Sequence, residues 1–149
     1  MEQYQKIYLY KRIVQAKLFI DTHYAENIDL DNIADEAYFS KFHFIRLFKK
    51  IYGKTPHHYL TQVRIENARQ LLIKNISVSE VCFAVGFNSV TSFTGLFKRS
   101  AGSSPSEFQL QQQRRQSDVA SSPLHFIPNC FVESHGWIAK NSNFREVMM

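Results

Sequence analysis

Phe42, Arg46 and Lys49 stand four and then three residues apart, the spacing that lines side chains along one face of an α-helix. Ile45 and Lys50 flank that line. A guanidinium, two ammonium groups, an aromatic ring and a branched aliphatic chain are an odd set for a merely solvated face. Together they suit a DNA major groove: Arg donates paired hydrogen bonds to a guanine edge, apolar carbons meet thymine methyls, and Lys neutralises phosphate. The other side of the same stretch carries Phe44, Leu47, Phe48 and Ile51 and must face a core. An aromatic at helical spacing is more often core than groove reader, but Phe42 lies opposite the core line.

The same phrase is written again further along. RLFKKIYGKTP (46–56) lines up with GLFKRSAGSSP (95–105), pairing Leu47 with Leu96, Phe48 with Phe97, Gly53 with Gly102, Pro56 with Pro105 and Tyr59 with Phe108, all 49 positions apart. Upstream the offset is 48, as for Ile28 and Ile76, so one residue has been inserted in a turn. A structural unit has been duplicated. In the second copy the outer face carries Thr91, Gly95 and Lys98, flanked by Val90, Thr94 and Arg99, while Phe93, Leu96 and Phe97 face inward. Lys41 and Lys54 extend the cationic border of the first copy.

Each copy must hold its outer face on two short helices. Ile28, Leu30, Ile33, Ala34 and Ala37 have the spacing of one amphipathic helix, repeated by Ile76, Val78, Val81, Cys82 and Val85. Asp29 is placed to cap the first, and Ser77 with Glu80 forms a capping box for the second. Turns follow at Ala37–Phe39 and Gly86–Asn88. Ser40 and Ser89 open the second helices, and Gly53 and Gly102 stop them in the left-handed conformation that glycine adopts without strain. Helix, turn, helix is the result in both copies, over about 28–53 and 76–102.

Between the copies, PHHYLTQVRIENARQLLI (56–73) reads as one helix with Pro56 in its first turn and Tyr59, Leu60, Val63, Ala68, Leu71 and Leu72 as its apolar stripe. Eighteen residues make a rod of roughly 27 Å, close to the ~34 Å repeat of the major groove along one side of a duplex. Such a rod holds two recognition helices near consecutive groove segments. Arg64 on it has two readings, a phosphate contact or a structural ion pair with Glu66 or an acid of the first unit such as Asp35.

Composition agrees with this and excludes other classes. The formal charge of +5 and the pI of about 9.3 favour an anionic partner. Two cysteines, Cys82 and Cys130, make neither a disulfide framework nor a zinc-finger spacing, and no apolar run reaches membrane-span length, so a reducing cytoplasm is expected. Cys82 matches Ala34 of the first copy and reads as a small core residue. His57 and His58 are adjacent and diverge by about 100° on a helix, and Cys130 with His125 and His135 lacks a metal-ligand spacing. No phosphate loop, nucleophile motif or cofactor site assembles, so an enzyme is not expected.

The phrases LFKK-x-x-G-x-TP and GF-x-x-x-x-x-F-x-x-LFKR-x-x-G-x-SP, with two helix-turn-helix units and a joining helix, closely resemble the AraC/XylS family of bacterial transcription regulators. The resemblance runs from about Leu18 to Arg115, and AVGFNSVTSFTGLFKRSAGSSPSEF (84–108) is its most specific part. It implies an all-α domain of seven helices, over about 8–115, whose helices opening at Ser40 and Ser89 read two adjacent groove segments of promoter DNA. The base readers it implies are Phe42, Ile45 and Arg46 in the first unit and Val90, Thr91, Thr94 and Gly95 in the second. Lys41, Lys49, Lys50, Lys54, Arg64, Lys98 and Arg99 are the expected phosphate contacts. Many members carry a long or basic residue where Gly95 stands. The first unit is therefore expected to supply most of the specificity and the second mainly phosphate contacts. Gly95 also favours the rival reading, a protein-interaction module that has weakened its DNA binding.

The resemblance further implies action as a monomer on double-stranded DNA and, as the commoner behaviour, activation. Only about two dozen residues precede the first unit, enough for one packing helix through Ile13 to Tyr24, so no fused upstream sensor is expected. Some relatives carry a DNA alkyl-repair module with a cysteine-rich zinc site, and two cysteines do not supply one. From Ser117 the chain changes character: SDVASSP reads as a linker, and residues 116–149 as a C-terminal extension. Phe126, Ile127, Phe131, Trp137, Ile138 and Phe144 crowd its last part. Packing back onto the domain is the plainer reading of these residues; docking to a second protomer or to RNA polymerase is the sharper one.

Overall fold

Hydroxyl side chains decide where most of the helices begin. The computed structural model describes residues 2–36 and 40–122, which form seven helices and no strand: α1 Glu2–His23, α2 Leu30–Glu36, α3 Lys41–Tyr52, α4 Pro56–Ile73, α5 Val78–Ala84, α6 Val90–Ala101 and α7 Pro105–Ser121. Ser40, Thr55, Ser77, Ser89 and Ser104 each accept a backbone N–H from the first turn of α3, α4, α5, α6 and α7. Ser77 with Glu80 and Ser104 with Glu107 close full capping boxes, and Asp29 accepts the Asp31 N–H at the start of α2. At the other ends, Gly53 and Gly102 have φ of 77° and 81°.

The helices pack into two cores that share one rod. Ile13, Ala16 and Ile20 of α1, Leu30 and Ala34 of α2, Phe44 and Phe48 of α3 and Leu60 of α4 form the first. Ile65, Ala68 and Leu72 of α4, Val81 and Cys82 of α5, Val85 and Phe87 after it, and Phe93 and Phe97 of α6 form the second. Around α4, Leu60 is turned well away from Ile65, Ala68 and Leu72 at 100° per residue. The helix therefore has no single apolar stripe. Its first half closes one unit, its second half the other, and Ile65, which the sequence pattern did not single out, is 2% exposed.

Matching aromatic contacts anchor both units. Phe48 meets Tyr59 edge-on with ring centroids 5.7 Å apart, and Phe97 meets Phe108 edge-on at 5.5 Å. Such pairs add about 0.5–1.5 kcal/mol to the burial of the rings themselves.

Two helices run further than the sequence pattern indicates. α1 begins at Glu2, not near Ile13, and α7 continues to Ser121 through most of SDVASSP. The extension of α7 has a visible cause. Gln109 donates to the carbonyls of Leu72 and Ile76, Gln113 to Asn75 Oδ1, and Gln116 to the carbonyl of Ile73. Spaced four and three apart, these amides occupy acceptors at the C-terminal end of α4 and hold a polar helix against it. The turn at Ala37–Phe39, the side chain of Asp35 and the aromatic cluster after Pro123 lie outside the described residues. Among the described residues no helix is long and apolar enough to cross a membrane.

Candidate nucleic-acid interface

Burying Phe44 and Phe48 fixes the rotation of α3, and with it the residues turned outward. Phe42 is 77% exposed, the largest exposure of any big apolar side chain described. Arg46, Lys49 and Lys50 are exposed beside it, while Ile45 is half-buried and packs partly on the first core. In α6, burial of Phe93 and Phe97 turns out Val90, Thr91, Gly95, Lys98 and Arg99, with Thr94 half-buried. Both expected faces are therefore assembled, each on a helix of twelve residues held by a serine cap, a phenylalanine pair and a left-handed glycine.

The two faces differ in what they offer. The first presents an aromatic ring in the first turn and a guanidinium at the middle of the helix. At the corresponding point of the second there is bare backbone, and a Cβ built on Gly95 meets nothing within 4 Å. Lys49 and Lys50, like Lys98 and Arg99, sit in the last turn of their helix, where a cation also favours the negative end of the helix dipole. Among the described residues none of these four is in an ion pair.

Lys41 and Lys54 are engaged within the protein. Lys41 Nζ lies 2.8 Å from Asp31 Oδ1 and 3.0 Å from Oδ2, and hydrogen bonding to that carboxylate raises the Lys41 pKa. Both side chains are about half exposed, so the pair is weak and a phosphate competes for Lys41 readily. Lys54 donates to Gln62 Oε1 on α4.

Arg64 is where the structure corrects the sequence. Its Nε donates to the carbonyl of Tyr24 at 2.7 Å and one Nη to the carbonyl of Glu26 at 2.9 Å, with the guanidinium over the Phe87 ring at 5.7 Å. Partial burial lowers its pKa. The expected phosphate contact, and the alternative ion pair with Glu66, give way to an internal brace between the α1–α2 turn and the second core. Carbonyl acceptors explain it: they satisfy a guanidinium at this depth without a second charge being desolvated.

Gly86 belongs to the same brace and was legible only as a turn residue. Its φ is +97°, and an added Cβ would come within 2.8 Å of the Tyr24 carbonyl and 3.0 Å of both the Ala25 carbonyl and Arg64 Nε. The turn of the second unit thus rests on the loop that leaves α1. A further tie joins α1 to α4: the Tyr59 hydroxyl donates to Asp21 Oδ1 at 2.6 Å, and Lys17 pairs with Asp21 Oδ2 at 2.6 Å. Burial and then the bond to Asp21 raise the Tyr59 pKa. These long-range partners left no signal in residue spacing.

Between α4 and α6 lies an open cleft of about 540 Å³, lined by His57, His58, Thr61, Gln62, Ile65, Leu96, Arg99 and Ser100. Among the described residues no group of three or more His, Cys, Asp or Glu side chains is placed to hold a metal. Cys82 is fully buried, which pushes its thiol pKa up, as befits a core residue in the place that Ala34 holds in the other unit.

Known proteins share this arrangement. Residues 33–111, more than half of the chain, match a helix-turn-helix domain family. The bifunctional transcriptional activator/DNA repair enzyme AdaA of Bacillus subtilis is 35% identical over 92 residues, which make up 61% of this chain and 44% of that protein. The chain spans about half the length of such curated relatives. Among solved structures, the DNA-binding domain of AdpA, a global transcriptional factor captured with a target DNA, superposes with a TM-score of 0.67 at 30% identity, covering 70% of this chain and 96% of that one. A regulator from Chromobacterium violaceum with an AraC-type DNA-binding domain gives 0.61 at 27% identity, covering 68% and 92%.

Proposed function

The chain belongs to the AraC-type helix-turn-helix family of DNA-binding transcription regulators, and from that membership we propose that it reads two adjacent major-groove segments of promoter DNA with α3 and α6. The observation that carries this is the pair of equivalent helices, each with a buried phenylalanine pair behind and an exposed basic turn in front, mounted on the single rod α4. In the first groove, Arg46 grips a guanine edge while Phe42 and Ile45 meet thymine methyls. In the second, Val90, Thr91, Thr94 and the backbone at Gly95 face the bases. Lys41, Lys49, Lys50, Lys54, Lys98 and Arg99 take phosphates, Arg64 being withdrawn from that set.

The protein acts on DNA as a monomer, because one chain already supplies two reading helices. Activation is the proposed outcome, with RNA polymerase as second partner, in keeping with the name of the AdaA relative.

Selection from a random duplex library, followed by anisotropy titration of the selected site at two salt concentrations, tests the reading. Two half-sites about one helical turn apart are expected. Affinity should fall by roughly a thousandfold or more between 50 and 200 mM salt if six to ten phosphates are neutralised. No selected motif, with weak binding lost uniformly as salt rises, would favour the rival protein-interaction module.

A further inference from the structure

α1 carries apolar residues on both sides. Its inner face is Ile13, Ala16 and Ile20, at most 4% exposed, as the first core requires. Its outer face bears Ile7, Tyr10, Val14 and Leu18, exposed by 58%, 44%, 43% and 53%. At 100° per residue these four fall within about 80° of one another and form one stripe, while the exposed Tyr8 and Phe19 lie off it. A helix apolar on both sides is the pattern of one covered on both sides. The stripe leaves on the order of 350 Å² of side-chain surface open, the size of patch that marks an interaction site.

We propose that the segment Leu124–Ile138 of this chain docks on the outer face of α1. Two observations select this occupant. First, that patch is about half of the ~800 Å² per partner found in standard interfaces between separate proteins, too little for a second copy to be held by it alone. A segment of the same chain avoids most of the entropy lost when two molecules associate, so a small patch suffices. Second, the chain beyond Ser122, where α7 has ended, is 27 residues long, and LHFIPNCFVESHGWI within it holds eight apolar side chains in fifteen. An apolar face in want of cover and an apolar segment are thus parts of one chain, and the fifteen residues of that segment, which begins three positions after the end of α7, span up to about 50 Å when extended.

Trp137 is the sole tryptophan of this sequence, so the chain reports on itself. Its emission and its quenching by acrylamide are measured in the wild type, Leu18→Glu, Val14→Glu and Leu110→Glu, the last replacing an exposed leucine of α7. The expected result is a blue-shifted, protected tryptophan in the wild type and in Leu110→Glu. In both α1 variants emission moves to that of indole in water and quenching rises several-fold, with far-UV circular dichroism retaining the helices. Should one α1 variant lose its helices, the other is read. A solvent-exposed Trp137 in the wild type, or protection indifferent to charge on α1, overturns the proposal. So does protection that appears only as protein concentration rises, which assigns the face to a second copy.

Discussion

The unit of α2 and α3 and the unit of α5 and α6 are built alike, yet they present different chemistry. Serine cap, phenylalanine pair, edge-on aromatic partner and left-handed glycine recur at matching positions. On the outer faces, Phe42 and Arg46 are answered by Thr91 and Gly95. Folding constrains the inner half of each helix through packing that tolerates few shapes. The outer half is free to diverge, because a solvated side chain adds little to stability. Duplication therefore yields two units of equal scaffold and unequal outer faces.

The largest test concerns the equality. Phe48→Ala and Phe97→Ala remove fully buried rings with equivalent neighbours, and each is expected to cost about 3–5 kcal/mol in urea unfolding. A difference of more than about 2 kcal/mol between them would break the claim that the units are equivalent, since that is the spread at fixed chemistry.

Next come the features that only the second unit's contact with α1 explains. Arg64→Ala removes two charge-assisted hydrogen bonds to carbonyls and should lower stability by about 2–3 kcal/mol, without changing the salt slope of DNA binding. A slope reduced by about 0.9 would return Arg64 to the phosphate contacts. Gly86→Ala should destabilise more than Gly53→Ala or Gly102→Ala, for which about 1–2 kcal/mol is expected from left-handed backbone alone. At the last two an added Cβ meets nothing within 4 Å, whereas at Gly86 it meets backbone.

On DNA, Arg46→Ala should relax preference at the first half-site by about ten- to a hundredfold, and Thr91→Ala should alter the second by less, read from titrations against half-site variants. The smallest effect sharpens the contrast. A Cβ at Gly95 meets nothing within 4 Å, and replacing this mid-helix glycine in Gly95→Arg should raise stability by up to about 1 kcal/mol. The preference for the first half-site should stay unchanged. If Gly95→Arg redirected that preference, the assignment of specificity to the first unit would fail.

Much of the fold was open to inspection in the residues. The repeat located both units, the spacing of Phe44 with Phe48 and Phe93 with Phe97 oriented the reading helices, and Pro56 and Ile73 bound α4 as read. What escaped had a common cause. Ile65 was missed because α4 serves two cores on different faces, so no single stripe marks it. The course of α7 past Ser117 rests on glutamines that bond to acceptors 33 to 43 positions away, and composition alone made that stretch a linker. Arg64 looked like any cation on a helix until its carbonyl partners, 38 and 40 positions away, were in place.

The sequence by itself determined the helices, their caps and stops, the duplication and the two outward faces, because all of these depend on interactions within a few residues or on a pattern written twice. Tertiary structure alone decided how the two units are held to each other, with Arg64 and Gly86 against the loop after α1 and α4 divided between two cores, and how Tyr59 and Asp21 tie α1 to α4. Those contacts join residues remote in the chain, and their energy comes from burial and hydrogen bonds that exist only once the chain has closed on itself.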